Sequence, residues 1–196
     1  RARARALSLL RALQLLGKGG FAMCYKARCV ETSREYALKV ANGETLTRKL
    51  KDKLSIEIRI HRELSHASIV RLDRCFEDVG GSVYLLLELC EHRSLADYVR
   101  RNGLLGETEV RRHAVQLSEA VSYLHERRII HRDLKVSAPL SIARARRRLS
   151  VRVVRAPRQP SNLLLDSNLR LKLSDFGLAA TLRPASETRN ASKADL

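Results

Sequence analysis

The chain reads as an α+β protein, β-rich in its first half and helical where its second half opens, on three observations. Residues 12–40 alternate apolar segments with a glycine cluster. Residues 69–76 and 82–89 are rich in Val, Leu and Tyr on either side of Gly80-Gly81. Residues 108–127 carry apolar side chains at spacings of three and four, the period of an amphipathic helix.

Within 12–40 the order is strand, Gly-rich turn, strand, turn and strand, with Glu31-Thr32-Ser33 as a hairpin loop, so the start is antiparallel. Over 46–64, Leu50, Leu54, Ile58 and Leu64 follow a helical period with Glu and Lys between them. Gly80-Gly81 predicts a tight hairpin, completing five strands and one helix for the first half. Val110, Ala114, Leu117, Val121 and Leu124 predict the helix over 108–127. Beyond Ile129-Ile130, short strands are predicted at 163–165 and 169–173 around the Asp166-Ser167-Asn168 turn, and residues 183–196 are polar and unpatterned. No internal repeat is present.

Composition bounds the function. With 196 residues, 44% hydrophobic and 30% charged, the chain suits one domain or slightly more with a real core, which excludes wholesale disorder. The longest apolar run, Val83 to Leu87, is five residues, against about 20 for a membrane-spanning helix. Cys24, Cys29, Cys75 and Cys90 form no C-x-x-C pair, so neither a disulfide framework nor a zinc site is expected, and a reducing intracellular compartment fits best. The net charge of +17 is uneven. Part sits on Arg1, Arg3, Arg5 and Arg11, an acid-poor opening that a transit peptide would also have, since the first acidic residue is Glu31. Residue 1 is Arg, so the start reads as a fragment or an incomplete gene model. Another part sits in 136–159, which holds seven Arg and no acid, so that +17 falls to +10 without it. Neither patch contains an aromatic residue, so the stacking platform of a single-strand binder is missing and a solvated tract is the better reading.

Four features carry chemistry. Gly17-Lys18-Gly19-Gly20 lies between two predicted strands, where backbone amides can close over phosphates, although taken alone it reads better as a hairpin needing positive φ. Lys39 on the third strand and Glu57 on the following helix can pair across a nucleotide, although either alone reads as surface charge. His131-Arg132-Asp133-Leu134-Lys135 follows a helix and a short strand, and Ser174-Asp175-Phe176-Gly177 follows a strand pair. An Asp in such a loop can accept a hydroxyl proton, while a second Asp and an Asn supply hard oxygens to Mg²⁺. All four in this order leave little room for coincidence.

Over about residues 10–182 the chain resembles a eukaryotic protein kinase domain, which implies a bilobal fold. Within that superfamily, LGKGGFAMC at 16–24, EIRIHREL at 57–64 and LELCEHRSLADYV at 87–99 resemble the polo-like serine/threonine kinases, whose glycine loop also carries Ala and Cys where Ala22 and Cys24 stand. The resemblance implies ATP and Mg²⁺. It assigns Gly17, Lys18, Gly19 and Gly20 to the phosphates, and Leu16, Cys24, Ala37 and Leu164 to the adenine. Leu87 becomes the gatekeeper, with Glu88 and Cys90 offering hinge backbone groups. Lys39 and Glu57 become the ion pair, Asp133 the base, Lys135 a γ-phosphate contact, and Asn162 and Asp175 the metal ligands. The substrate would be protein Ser or Thr, because Lys135 follows Asp133 by two. The family's work in cell division adds the centrosome to a cytoplasmic or nuclear location. Nucleic acid and membrane are not expected partners, and oligomeric state is not legible.

Two departures qualify the resemblance. Kinases leave four residues between the catalytic Asp and Asn, whereas 28 separate Asp133 from Asn162. Excising 136–159, 24 residues from a Val to a Gln, restores the register as Asp133-Leu-Lys-Pro-Ser-Asn162. Valine codons begin GT and one glutamine codon is CAG, so the segment reads as a retained intron, with a genuine flexible insertion as the alternative. A translated insertion is expected to keep Asn162 from a productive position. The other departure is the end. No Ala-Pro-Glu segment follows Gly177, so the reading is 1–9 as a basic extension, 10–90 as small lobe and hinge, 91–182 as a partial large lobe, and 183–196 as a truncated activation-loop tail. Thr181, Ser186, Thr188 and Ser192 are candidate phosphosites. The chain is therefore expected to be a kinase impaired by insertion and truncation, against a non-catalytic ATP-binding scaffold and a basic nucleic-acid-associated protein.

Overall fold

The computed structural model describes residues 9–134, 140–145, 148–153 and 162–182. The first half forms one antiparallel sheet in the order β1-β2-β3-β5-β4, from β1 (Leu10–Lys18), β2 (Ala22–Cys29), β3 (Glu35–Ala41), β4 (Leu72–Glu77) and β5 (Val83–Glu88). The expected hairpins close it. Ser33 takes φ 56° in the β2–β3 turn, and Gly81 takes φ 75° before β5, where Asp78 accepts Ser82 N–H at 2.9 Å.

Side chains alternate between the two faces of the sheet. Ala27, Tyr36, Leu38 and Leu86 pack together on one face. Ala22, Ala41 and Leu85 line the other, against Leu46 and Leu54. Leu54 belongs to α1 (Arg48–Arg62), whose first turn is capped by the Thr47 side chain. Its periodic face buries Leu54, Glu57, Ile60 and His61. A buried carboxylate such as Glu57 is tolerated only with a partner, and this requirement draws the helix toward β3.

A second core joins Ile60, Leu64 and Ile69 to Ala120 and Leu124 of α3 (Glu107–Glu126), and to Leu163, Leu165, Leu171 and Leu173 of the hairpin β9 (Leu163–Leu165) and β10 (Leu171–Leu173). The two-residue strands β6 (Ile129–Ile130) and β11 (Ala180–Thr181) pair beside it. The cores are stitched together by backbone. Leu173 N donates to Ser68 O at 2.8 Å, and Val70 N donates to Leu173 O at 2.9 Å.

The structure corrects four expectations. Leu95–Asn102 is a helix, α2, that periodicity does not reveal because it is two turns long; Ser94 caps it through Asp97 N at 3.0 Å. The strand expected from 69 begins at Leu72, since Ile69 closes a turn on His66 O and bridges to Leu173. The strand expected from 169 begins at Leu171, because Asp166 Oδ1 accepts the N–H groups of both Asn168 and Arg170 and bends the chain there. Part of the Arg-rich tract is paired backbone: β7 (Leu140–Ala145) and β8 (Arg148–Val153) form an antiparallel hairpin with Leu140 opposite Val153 and Ile142 opposite Val151. β8 lies against α3. Residues 1–8 and the tail 183–196, with Ser186, Thr188 and Ser192, lie outside the described residues; Thr181 is in β11, opposite Ile129.

Candidate active site

The glycine loop is the turn between β1 and β2, closed by Gly19 N donating to Ala22 O at 2.8 Å. None of Gly17, Gly19 and Gly20 has positive φ, so backbone conformation does not demand glycine there. A Cβ on Gly17 or Gly20 would meet no protein atom within 4 Å, so packing does not demand it either. What a side chain would obstruct is approach from outside, as expected of a loop that closes its amides over an anion.

Sheet register assembles the next residues. Gly17 is opposite Cys24, Cys24 opposite Lys39, and Ala37 opposite Leu87, so these residues share one face. Leu16 sits at an irregularity of the β1–β2 register, half-buried, and Lys18 is exposed at the strand end. Leu164 is half-buried between the buried Leu163 and Leu165, hence on the opposite face of β9. Burial raises the pKa of Cys24, so it is not an activated thiol.

Lys39 is the electrostatic centre. Its Nζ lies 2.6 Å from Glu57 Oε1 and 3.6 Å from Asp175 Oδ1. Burial works against the ammonium, but Glu57 and Asp175 outweigh it and Lys39 titrates above its ordinary value. Among the described residues Glu57 Oε2 is buried with no hydrogen-bond partner, so the carboxylate's pairing there rests on Lys39. Gly177 packs against the same groups: a Cβ there would lie 3.2 Å from Asp175 Oδ1 and 3.4 Å from Glu57 Oε2.

Asn162 lies beside Asp133 although 28 residues separate them in the chain. Asn162 Nδ2 donates to Asp133 O at 2.8 Å and to Asp133 Oδ2 at 2.9 Å. On the far side of the insertion, Ser174 N and Oγ both donate to Asn162 O, at 2.9 and 3.1 Å. With Nδ2 committed to Asp133, Oδ1 is the Asn162 atom suited to a hard cation. Lys135 lies outside the described residues. Asp175 and Arg132 adopt φ 64° and 61°, a conformation costly for non-glycine residues and concentrated at functional sites.

Residues beyond those expected hold this arrangement. Phe176 is fully buried, its ring centroid 4.8 Å from that of His61 and 5.1 Å from that of His131. His131 lies 3.1 Å from Ser174 O through Nε2 and accepts Asp133 N–H at Nδ1, while Arg132 Nε donates to Leu178 O at 2.6 Å. For His61 and Phe176 the helical period of α1 and the burial of an aromatic are legible; no residue-type signal marks Ser174.

His61 Nε2 sits 2.6 Å from Val70 O, and burial, with Lys39 adding to it, pushes its pKa down to about 4. The unfolded imidazole takes up a proton near 6.5, so between about 6.5 and 4 the unfolded state binds more protons and native stability falls as pH falls. Urea unfolding is expected to give about 2 kcal/mol less stability at pH 5 than at pH 7 from this group. His61→Gln should flatten that dependence; an unchanged slope would remove His61 as its source. Burial lowers His131 as well, adding in the same direction.

At the expected hinge, Glu88 N donates to Arg71 O, and the Glu88 carboxylate is bound to Lys172 Nζ at 2.6 Å and Arg71 N at 3.1 Å. Cys90 is buried, its thiol pushed up to about 12 by burial and then by Glu88, and its carbonyl accepts Arg93 N–H at 3.0 Å. A cavity of about 360 Å³ behind Glu88 is lined by Arg34, His66, Arg71 and Lys172 among others. The Glu88–Lys172 pair balances part of its charge internally.

The residues fit a magnesium nucleotide: an unobstructed amide loop, a half-buried ammonium beside two carboxylates, and the Asp133–Asn162 pair bonded to Ser174, the neighbour of Asp175. The comparisons with known proteins agree. The protein kinase domain family matches residues 10–141. A protein of Zea mays named as a probable serine/threonine-protein kinase is 40% identical over 177 residues, 90% of this chain and 24% of the relative. The cell cycle serine/threonine-protein kinase of Saccharomyces cerevisiae is 38% identical over 174 residues, 89% of this chain and 21% of the relative. The serine/threonine-protein kinase polo of Drosophila melanogaster is 35% identical over 178 residues, 90% and 27%. The chain thus spans about a quarter of the length of these relatives. It belongs to the protein kinase family and, within that family, is similar to the polo-like serine/threonine kinases.

Proposed function

We propose that the chain carries the nucleotide-binding and phosphoryl-transfer machinery of a polo-like serine/threonine protein kinase, which moves the γ-phosphate of ATP to a protein Ser or Thr. The observation that carries this reading is the convergence of Glu57, Lys39 and Asp175 beside the Asp133–Asn162 pair. Bound Mg-ATP would supply the phosphoryl group and the metal charge that eases its transfer. Gly17, Lys18, Gly19 and Gly20 cover its phosphates, and Lys39, fixed by Glu57, orients them. Leu16, Cys24, Ala37 and Leu164 enclose the base, Leu87 borders it, and backbone groups of Glu88 and Cys90 face its edge. Asn162 and Asp175 hold the metal, Lys135 contacts the γ-phosphate, and Asp133 takes the proton from the acceptor hydroxyl.

Residues 10–90 serve as small lobe and hinge, and 91–182 as part of the large lobe. The segment 136–159 reads as a retained intron, which sequencing the transcript across the codons of Lys135 and Pro160 decides: direct joining supports it, and 24 persisting codons refute it. The protein works inside the cell, in cytoplasm or nucleus, with centrosomes a candidate site. No described helix is long and apolar enough to cross a membrane.

Lys39→Met keeps side-chain length and removes the charge, and it is expected to lower ADP formation by about 10²- to 10³-fold. Turnover within a few-fold of the unmutated chain would refute the assignment of Lys39.

A further inference from the structure

The 24-residue insertion enters a loop whose two functional side chains nonetheless touch, and the contacts of Ser174 account for this. Asn162 O accepts from both Ser174 N (2.9 Å) and Ser174 Oγ (3.1 Å). Ser174 O is 3.1 Å from His131 Nε2, and His131 Nδ1 accepts from Asp133 N at 3.3 Å. Asn162 Nδ2 closes the ring on Asp133. This circuit of Asp133, His131, Ser174 and Asn162 runs through space between residues on either side of the insertion.

In a four-residue connection the chain itself keeps Asn near Asp. With 28 residues between them rather than four, the entropic cost of bringing the ends together grows as (3/2)RT ln n, so covalent proximity is weaker by up to about twentyfold. Some other contact must replace it. We infer that Ser174 is a positioning residue for Asn162, that its hydroxyl substitutes for the lost tether, and that this dependence is created by the insertion. The inference rests on the kinase reading, in which Asn162 is a metal ligand.

The test compares Ser174→Ala in two backgrounds, the full chain and a chain with Lys135 joined directly to Pro160. The readout is affinity for a fluorescent ATP analogue with and without Mg²⁺, alongside thermal melting without nucleotide. In the full chain Ser174→Ala is expected to cut the Mg²⁺-dependent gain in affinity by about three- to tenfold, the worth of one hydrogen bond, and Ser174→Thr is expected to restore it. In the shortened chain Ser174→Ala is expected to change that gain by less than about twofold, because four residues already hold Asn162 in place. An equal loss in both backgrounds, or none in the full chain, overturns the inference. If the Ala variant melts early, Ser174→Cys, which keeps the volume but is a weaker donor, gives the same comparison. Failure of both unmutated chains to bind the analogue with Mg²⁺ overturns the kinase reading itself; binding that Ser174→Ala leaves untouched overturns only the role of Ser174.

Discussion

Asp133→Asn is expected to lower phosphoryl transfer to Ser or Thr by about 10²- to 10⁴-fold, the contribution of a positioned general base. The substitution preserves shape and still offers an oxygen to Asn162 Nδ2, which lies 2.9 Å from Asp133 Oδ2. What it removes is the carboxylate that, in the proposed mechanism, takes the acceptor's proton. Nucleotide binding should survive, since Lys39, Glu57 and the glycine loop are untouched. Initial rates of ADP formation with a Ser/Thr peptide library, in the chain as it stands and in the chain lacking 136–159, check this. An undiminished rate in a chain that does transfer phosphate would remove Asp133 from the chemistry.

Phe176→Ala is expected to destabilise the fold by about 3–5 kcal/mol, the range for truncating a buried aromatic. Domains of this size commonly have about 5–15 kcal/mol in total, so the variant would stand near its unfolding midpoint in mild urea. Phe176 is fully buried between His61 of α1 and His131 of the catalytic loop. Its loss therefore opens a void where the sheet-and-helix half meets the rest. Because α1 carries Glu57, the void should also loosen the Lys39–Glu57 pair. Phe176→Leu, which keeps most of the volume, should cost less. Urea midpoints of the three proteins measure the difference, and a loss under about 1 kcal/mol would mean that the ring is not packed as described.

Local order was legible where one physical signal dominates. The period of Leu50, Leu54 and Ile58 gives α1, the alternation around Gly80-Gly81 gives β4 and β5, and the order of the glycine loop, Lys39, Glu57, Asp133 and Asp175 gives the site. α2 was missed because eight residues hold too few turns for a period, leaving only the Ser94 cap to announce it. The β7–β8 hairpin was missed because arginine content masked the alternation of Leu140 and Ile142 with Leu149, Val151 and Val153. β11 is two residues long and exists only through its pairing with β6, the short strand legible before His131, across about 50 positions.

The sequence by itself determined the order of the kinase-like motifs, the long periodic helices α1 and α3, the strands of the first half, and the unusual spacing between Asp133 and Asn162. Backbone propensity and side-chain periodicity act over a few residues, and those are the scales on which a chain can be read directly. Only the tertiary structure decided that Lys39 meets both Glu57 and Asp175, that Phe176 packs against two histidines, and that Asn162 bonds both Ser174 and, across the insertion, Asp133. Each of these contacts joins residues far apart in the chain. Their distances follow from how the sheet, α1 and the β9–β10 hairpin dock through buried side chains and shared backbone hydrogen bonds, and the number of residues between two positions does not contain that information.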